Sequence, residues 1–168
     1  MTEDFSPNTI RLLDIAAERC TRRGARLTEL RRHVLGLILE VPSPSGAYDL
    51  LERLRHSRGP SAPPTVYRTL DFLVEHGFIH RVERLAAFVG CIDSGSHEEA
   101  HAGAHSHAAQ FLICTACKRV AEIDDHDIAR ALREAASRAG FQLSRTTVEA
   151  EGLCAACTSQ GARPGPAT

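Results

Sequence analysis

In the first half of the chain, apolar residues recur every three to four positions, the spacing of one helix face. "TIRLLDIAAERCTRRG" places Ile10, Leu13, Ala16 or Ala17, and Cys20 on such a face, and predicts a helix ending at Gly24. A second helix is predicted over Thr28–Leu39, with Thr28 as N-cap and Leu30, Val34, Leu35 and Ile38 along one side. The prolines of "VPSPSG" make a loop, and a third helix follows over Ala47–Arg58. After the break "GPSAPP", a fourth helix is expected from Pro64, which suits a first helical turn, to His76, with Gly77 at the exit. "FIHRVERLAAFVGC" then reads as two short strands, Phe78–Val82 and Ala86–Cys91. Helices followed by a small hairpin make a winged helix-turn-helix, in which the fourth helix reads DNA and the hairpin is the wing.

The pattern changes after Cys91. "DSGSHEEAHAGAHSHAA" has few large apolar residues and four histidines, and reads as a linker or loop. Beyond it come a predicted strand (Gln110–Ile113), a Cys-x-x-Cys knuckle, a strand (Arg119–Ile123), a helix (His126–Ala139), a strand (Gln142–Val148) and a second knuckle. The fold class is therefore α/β (α+β), with four parts: a winged-helix DNA-binding domain over 1–85, a hinge and His-rich loop over 86–109, a small α/β dimerisation and metal-binding domain over 110–158, and a flexible tail over 159–168. A domain as small as the second is of the size at which a structural metal is expected.

Composition narrows the function. The longest apolar run, "LAAFVGCI", is too short for a membrane helix, and the acids of "MTEDFSPNTIRLL" exclude a secretory signal, so a cytoplasmic protein with no membrane partner is expected. Residues 1–85 hold 13 Arg against 11 acids, a net of +2, while the remainder carries a net of −3. This asymmetry permits nucleic-acid binding by the first half without demanding it. Nineteen of the twenty basic residues are Arg, the side chain suited to phosphates and base edges.

The six cysteines include the pattern Cys-x2-Cys-x36-Cys-x2-Cys, formed by Cys114, Cys117, Cys154 and Cys157. In a reducing compartment such pairs more often bind metal or perform redox chemistry than form structural disulfides. Two knuckles can offer four thiolates tetrahedrally, which is what structural zinc requires. A thioredoxin-like pair belongs at a helix N-terminus after a strand, whereas both pairs here read as turns. Cys20 and His33 are read as structural, and His126 as the start of a helix.

The segments "RLTELRRHVL", "AYDLLERL", "PPTVYRTLDFLVEHGFIHRVE", "FVGC", "FLICTACKRVAEI" and "GLCAAC" occur in the order found in the ferric-uptake-regulator family. Over Arg26–Cys157 the chain most resembles the family's zinc-sensing branch, which takes up the regulation of zinc import. The resemblance implies a homodimeric, metal-responsive repressor of operator DNA, with no enzymatic role and no small-molecule substrate. It implies two zinc ions per chain, the second held where the two domains join by His80, Cys91, His107 and Glu122. His107 lies seven residues before Cys114, the branch's spacing, while His105, His101 and His97 compete with it. Two imidazoles, a thiolate and a carboxylate suit four-coordinate zinc, and the thiolate argues against non-haem Fe(II).

For DNA, Ser61, Thr65, Tyr67 and Arg68 lie at or near the start of the fourth helix, the part that enters the major groove in this architecture. Arg68 can pair two donors with guanine O6 and N7. Tyr48 resembles a family DNA contact. Arg22, Arg23, Arg26, Arg31 and Arg32 are candidates for phosphate contacts, with a solvated helix face as the simpler reading for each. The rival functions are an iron- or peroxide-sensing regulator of the same family, a thiol-disulfide redox protein, and a zinc store built on the His-rich loop.

Overall fold

The computed structural model describes residues 5–59, 62–91, 109–144 and 146–163. They fall into two compact units, one on each side of the His-rich segment.

In the first unit, α1 (Pro7–Arg22) opens on Ser6, whose hydroxyl accepts from the Thr9 amide at 3.3 Å, and buries Thr9, Leu13, Ala16 and Cys20 along one stripe. The chain then enters α2 (Glu29–Leu39), which is buried continuously from His33 to Ile38. Gly36 makes room there for the ring of Phe5, which a Cβ would displace. Thr28 occupies the predicted cap position, but its side chain makes no capping hydrogen bond. Strand β1 (Ser45–Gly46) leads into α3 (Ala47–Arg58), and α4 (Pro63–Glu75) follows. Val66, Thr69, Leu70 and Leu73 form the buried face of α4. Gly77, at φ +71°, then lets the chain reverse into β2 (Ile79–Val82). A 3-10 turn at Glu83–Leu85 joins β2 to β3 (Ala87–Gly90).

These strands form an antiparallel sheet in the order β1-β3-β2, with Ser45 and Arg81 on either side of Phe88. Leu35, Leu50, Leu70, Leu73 and Phe78 are among the fully enclosed core residues shared by α1 to α4 and the hairpin. Strand β3, which the expected hinge of 86–109 overlaps, is hydrogen-bonded into this sheet.

The second unit is built on β4 (Ala109–Cys114), which pairs antiparallel with β5 (Val120–Ile123) and parallel with β6 (Thr147–Gly152). Helix α5 (His126–Arg138) is the crossover between β5 and β6. The Asp125 carboxylate caps it, accepting from the amides of Asp127 at 2.8 Å and Ile128 at 3.1 Å. Among the described residues, the buried apolar side chains of this unit are Ala109, Phe111, Ile113 and Cys114, all on β4.

Two expectations fail here. The last strand begins at Thr147 and runs to Gly152, later than the predicted Gln142–Val148, because parallel pairing with β4 sets its register, Cys114 opposite Gly152. The second knuckle is not a plain turn: Cys154 stands at the N-cap of a short helix, α6 (Ala155–Ser159).

Candidate metal centres and nucleic-acid interface

Because β4 and β6 run parallel, both end on the same side of the sheet. Cys114 is the last residue of β4, and Cys154 comes two residues after β6. The first knuckle closes through bonds from the Lys118 amide to the Cys114 carbonyl at 2.9 Å and from the Cys114 amide to the Arg119 carbonyl at 2.8 Å. Lys118 takes a left-handed backbone at φ +60° to make this turn. Thr115 joins the two knuckles: its amide and its hydroxyl both donate to the Gly152 carbonyl, at 2.8 and 3.2 Å.

One sulfur from each of Cys114, Cys117, Cys154 and Cys157 lies within 4.8 Å of the other three. The Cys117 and Cys154 sulfurs are 3.8 Å apart. A zinc tetrahedron with bonds of about 2.3 Å has an edge of about 3.8 Å, so the donor set fits the ion. The protonation pattern points the same way. Amide hydrogen bonds, first from Cys117 and then from Cys154, pull the Cys114 thiol down to about 6. Cys154 is lowered too, chiefly by the amide of Cys157. Hydrogen bonding with Cys154, then with Cys117, pushes Cys157 up to about 12. The hydrogen bonds favour the charged form of Cys114 and Cys154, while the neighbouring sulfurs disfavour that of Cys157; a divalent cation would offset that repulsion. Cys154 and Cys157, expected in a plain turn, do follow a strand and open a helix, as a redox pair would. Convergence of all four sulfurs is what favours a metal over a redox pair.

The other proposed ligands are distributed as follows. In the first unit, His80 lies on β2 opposite Val89, and Cys91 follows β3, its amide donating to the Phe78 carbonyl at 3.0 Å. A ring nitrogen of His80 and the Cys91 sulfur come within 4.8 Å of each other, and both residues are partly buried. In the second unit, Glu122 is exposed on β5 opposite Phe111. His107 lies outside the described residues.

On α4, Thr65, Tyr67 and Arg68 face solvent, on the side away from the buried Val66, Leu70 and Leu73. Tyr48, in the first turn of α3, is 80% exposed. Ser61 lies outside the described residues. Three of the candidate phosphate-binding arginines make contacts within the domain. Arg32 pairs with Asp14 at 2.8 Å, Arg23 donates to the His76 carbonyl at 3.3 Å, and Arg31 lies over the Phe72 ring.

A profile of the Ferric uptake regulator family matches residues 22–151. The chain belongs to the ferric uptake regulator family. Within it, the chain is 38% identical over 151 residues to the zinc uptake regulation protein of Escherichia coli (strain K12), covering 89% of this chain and 82% of that one. It is 26% identical over 136 residues to the zinc uptake regulation protein of Mycobacterium tuberculosis (strain H37Rv), covering 81% and 97%. Among solved structures, a zinc uptake regulator complexed with zinc and DNA superposes with a TM-score of 0.81 at 36% identity, over 93% of this chain and 99% of that one. Holo XcZur superposes with a TM-score of 0.77 at 40% identity, over 89% and 98%.

For a ferric-uptake-regulator chain, the four cysteines are the part of the site that spacing alone reveals. Thr115 escaped the sequence reading: a lone threonine between two cysteines carries no signal until β6 is brought beside it. The roles of Arg31 and Arg23 were equally hidden, since their partners Phe72 and His76 lie on another helix.

Proposed function

We propose that this protein is a zinc-responsive, dimeric transcriptional repressor that binds operator DNA when zinc-loaded and represses zinc-uptake genes. The likeness to a zinc uptake regulator solved with zinc and DNA, over nearly the whole of both chains, carries the reading. The convergence of four cysteine sulfurs supports its zinc part independently. Two zinc ions per chain are assigned. One is held by Cys114, Cys117, Cys154 and Cys157, where it would supply a redox-inert cross-link between the ends of β4 and β6. The other is assigned to His80, Cys91, His107 and Glu122, a set drawn from both parts of the chain.

In this reading Arg68 and Tyr67 on α4, with Thr65, Ser61 and Tyr48, face the DNA. A symmetric dimer would present two such helices to a two-fold operator. The Cys91 thiolate favours zinc over iron in the second site. The family is one of regulators, so no catalytic role is assigned. Among the described residues, no helix is long and apolar enough to cross a membrane.

The test is a titration of DNA binding against free zinc, with metal counted per chain at each point. The reading requires operator affinity to rise as a second equivalent binds. DNA binding that ignores zinc, or that responds to iron and not zinc, would overturn it.

A further inference from the structure

Three side chains form a column behind α4. The Cζ of Arg31, on α2, lies 3.5 Å from the centre of the Phe72 ring. His76 stacks on the same ring with centroids 3.9 Å apart and planes inclined by 28°. Two partners so close to one ring must take opposite faces, so Phe72 is sandwiched between them. The column is tied down at both ends. Arg31 Nη1 donates to the Arg26 carbonyl at 2.8 Å, and Arg23 Nη1 donates to the carbonyl of His76, which caps the C-terminus of α4. The buried thiol of Cys20 registers the same cations: burial pushes it up, and the charges of Arg31 and then Arg23 oppose that rise.

We propose that Arg31 is a positioning residue for DNA reading: through Phe72 it fixes the orientation of α4, and it does not neutralise a backbone phosphate. The proposal rests on the assignment of α4 as the DNA-reading helix. Phe72 follows Arg68 by four residues, so the two side chains are neighbours about 6 Å apart along the helix axis. A tilt at Phe72 therefore displaces Arg68 directly. Two-donor pairing with a guanine edge depends on orientation as well as charge. The planar guanidinium of Arg31 suits a ring face better than an ammonium does, and one of its N–H groups is committed to Arg26.

The experiment measures binding of the zinc-loaded full chain to a duplex that the wild type selects from a random-sequence library, across a series of salt concentrations. Failure of the wild type to select any duplex would defeat the DNA-reading assignment itself, separately from the role of Arg31. Given selection, Arg31→Gln should weaken binding about tenfold, equivalent to about 1.4 kcal/mol. The slope of log affinity against log salt should not change, and preference at the base read by Arg68 should relax. Phe72→Leu should reproduce both effects, and the double variant should lose little more than either single one. Arg31→Lys, which keeps the charge, should not restore wild-type binding. The opposite pattern would overturn the proposal: a slope reduced by about 0.9, rescue by Lys and a neutral Phe72→Leu, as for a phosphate contact. A loss that disappears once binding is corrected for the folded fraction would overturn it too, reducing Arg31 to a stability role.

Discussion

The sulfur atoms of Cys117 and Cys154 lie 3.8 Å apart across 37 residues of sequence. The second unit has a small apolar core: its buried apolar residues among those described all lie on β4. Cys114→Ser should therefore release one zinc and destabilise this unit, because a structural site of this kind contributes folding energy directly. The dimer should weaken with it. Metal per chain, thermal melting and sedimentation check this; full zinc content with unchanged melting would remove the four-cysteine assignment.

Arg68 is exposed on α4 with a buried stripe behind it. Arg68→Ala should cost on the order of 1–3 kcal/mol on the cognate operator and relax base preference at one position per half-site. Zinc binding should survive. Competition with a panel of duplexes checks it: an equal loss on every sequence would make Arg68 a phosphate contact.

Cys91→Ser separates the two metal assignments. It replaces a soft thiolate with a poor neutral ligand and leaves the four-cysteine site whole. The protein should stay folded and dimeric and bind one zinc fewer. Driving a conformation from about 1% to about 99% competent requires roughly 5.5 kcal/mol of differential zinc binding, and the loss of one ligand in four should remove much of it. Operator affinity should remain near its zinc-free level. His107→Ala should behave alike, while His97→Ala and His101→Ala should be nearly silent. Retention of both zinc equivalents by Cys91→Ser would move the site elsewhere.

Glu40, at the end of α2, ties that helix to the start of α1. The Ser6 amide reaches its carboxylate at 3.2 Å and the Ser6 hydroxyl at 3.3 Å. Hydrogen bonding, first from the Thr9 side chain and then from the Ser6 amide, holds its carboxyl below the ordinary range. A depressed carboxyl stabilises the fold above its unfolded value, about 4.3, and loses that contribution as pH falls through the folded value. Glu40→Gln should melt lower than wild type at neutral pH, and the gap should close on acidification below about 4.3. A gap independent of pH would mean that the carboxylate charge plays no part.

Helix α3 spans the Ala47–Arg58 predicted for it, and α4 is displaced by only one residue. Both have local signals: apolar spacing in each, a proline-containing loop before α3 and prolines in the first turn of α4, and a glycine after each. The errors fall where distant pairing decides. Strand β1 has two residues, and only β3, some forty positions later, makes Ser45 and Gly46 a strand. "TVEAEG" has little strand character of its own and is ordered by β4. The site divides in the same way. Four cysteines at knuckle spacing announce themselves, whereas nothing local marks His80 or Glu122 as a ligand, and their assignment rests on the family pattern.

The parallel pairing of β4 with β6 also has a consequence during synthesis. Cys117 is translated 37 residues before Cys154, an interval of roughly 2 to 7 s at about 5–20 residues per second. Throughout that interval the nascent chain offers only two of the site's four sulfurs, Cys114 and Cys117, and one edge of β4 waits for β6, made at the interval's end. The four-sulfur site can close only after the ribosome has passed Cys157. Metal held there marks a polypeptide translated through its second knuckle.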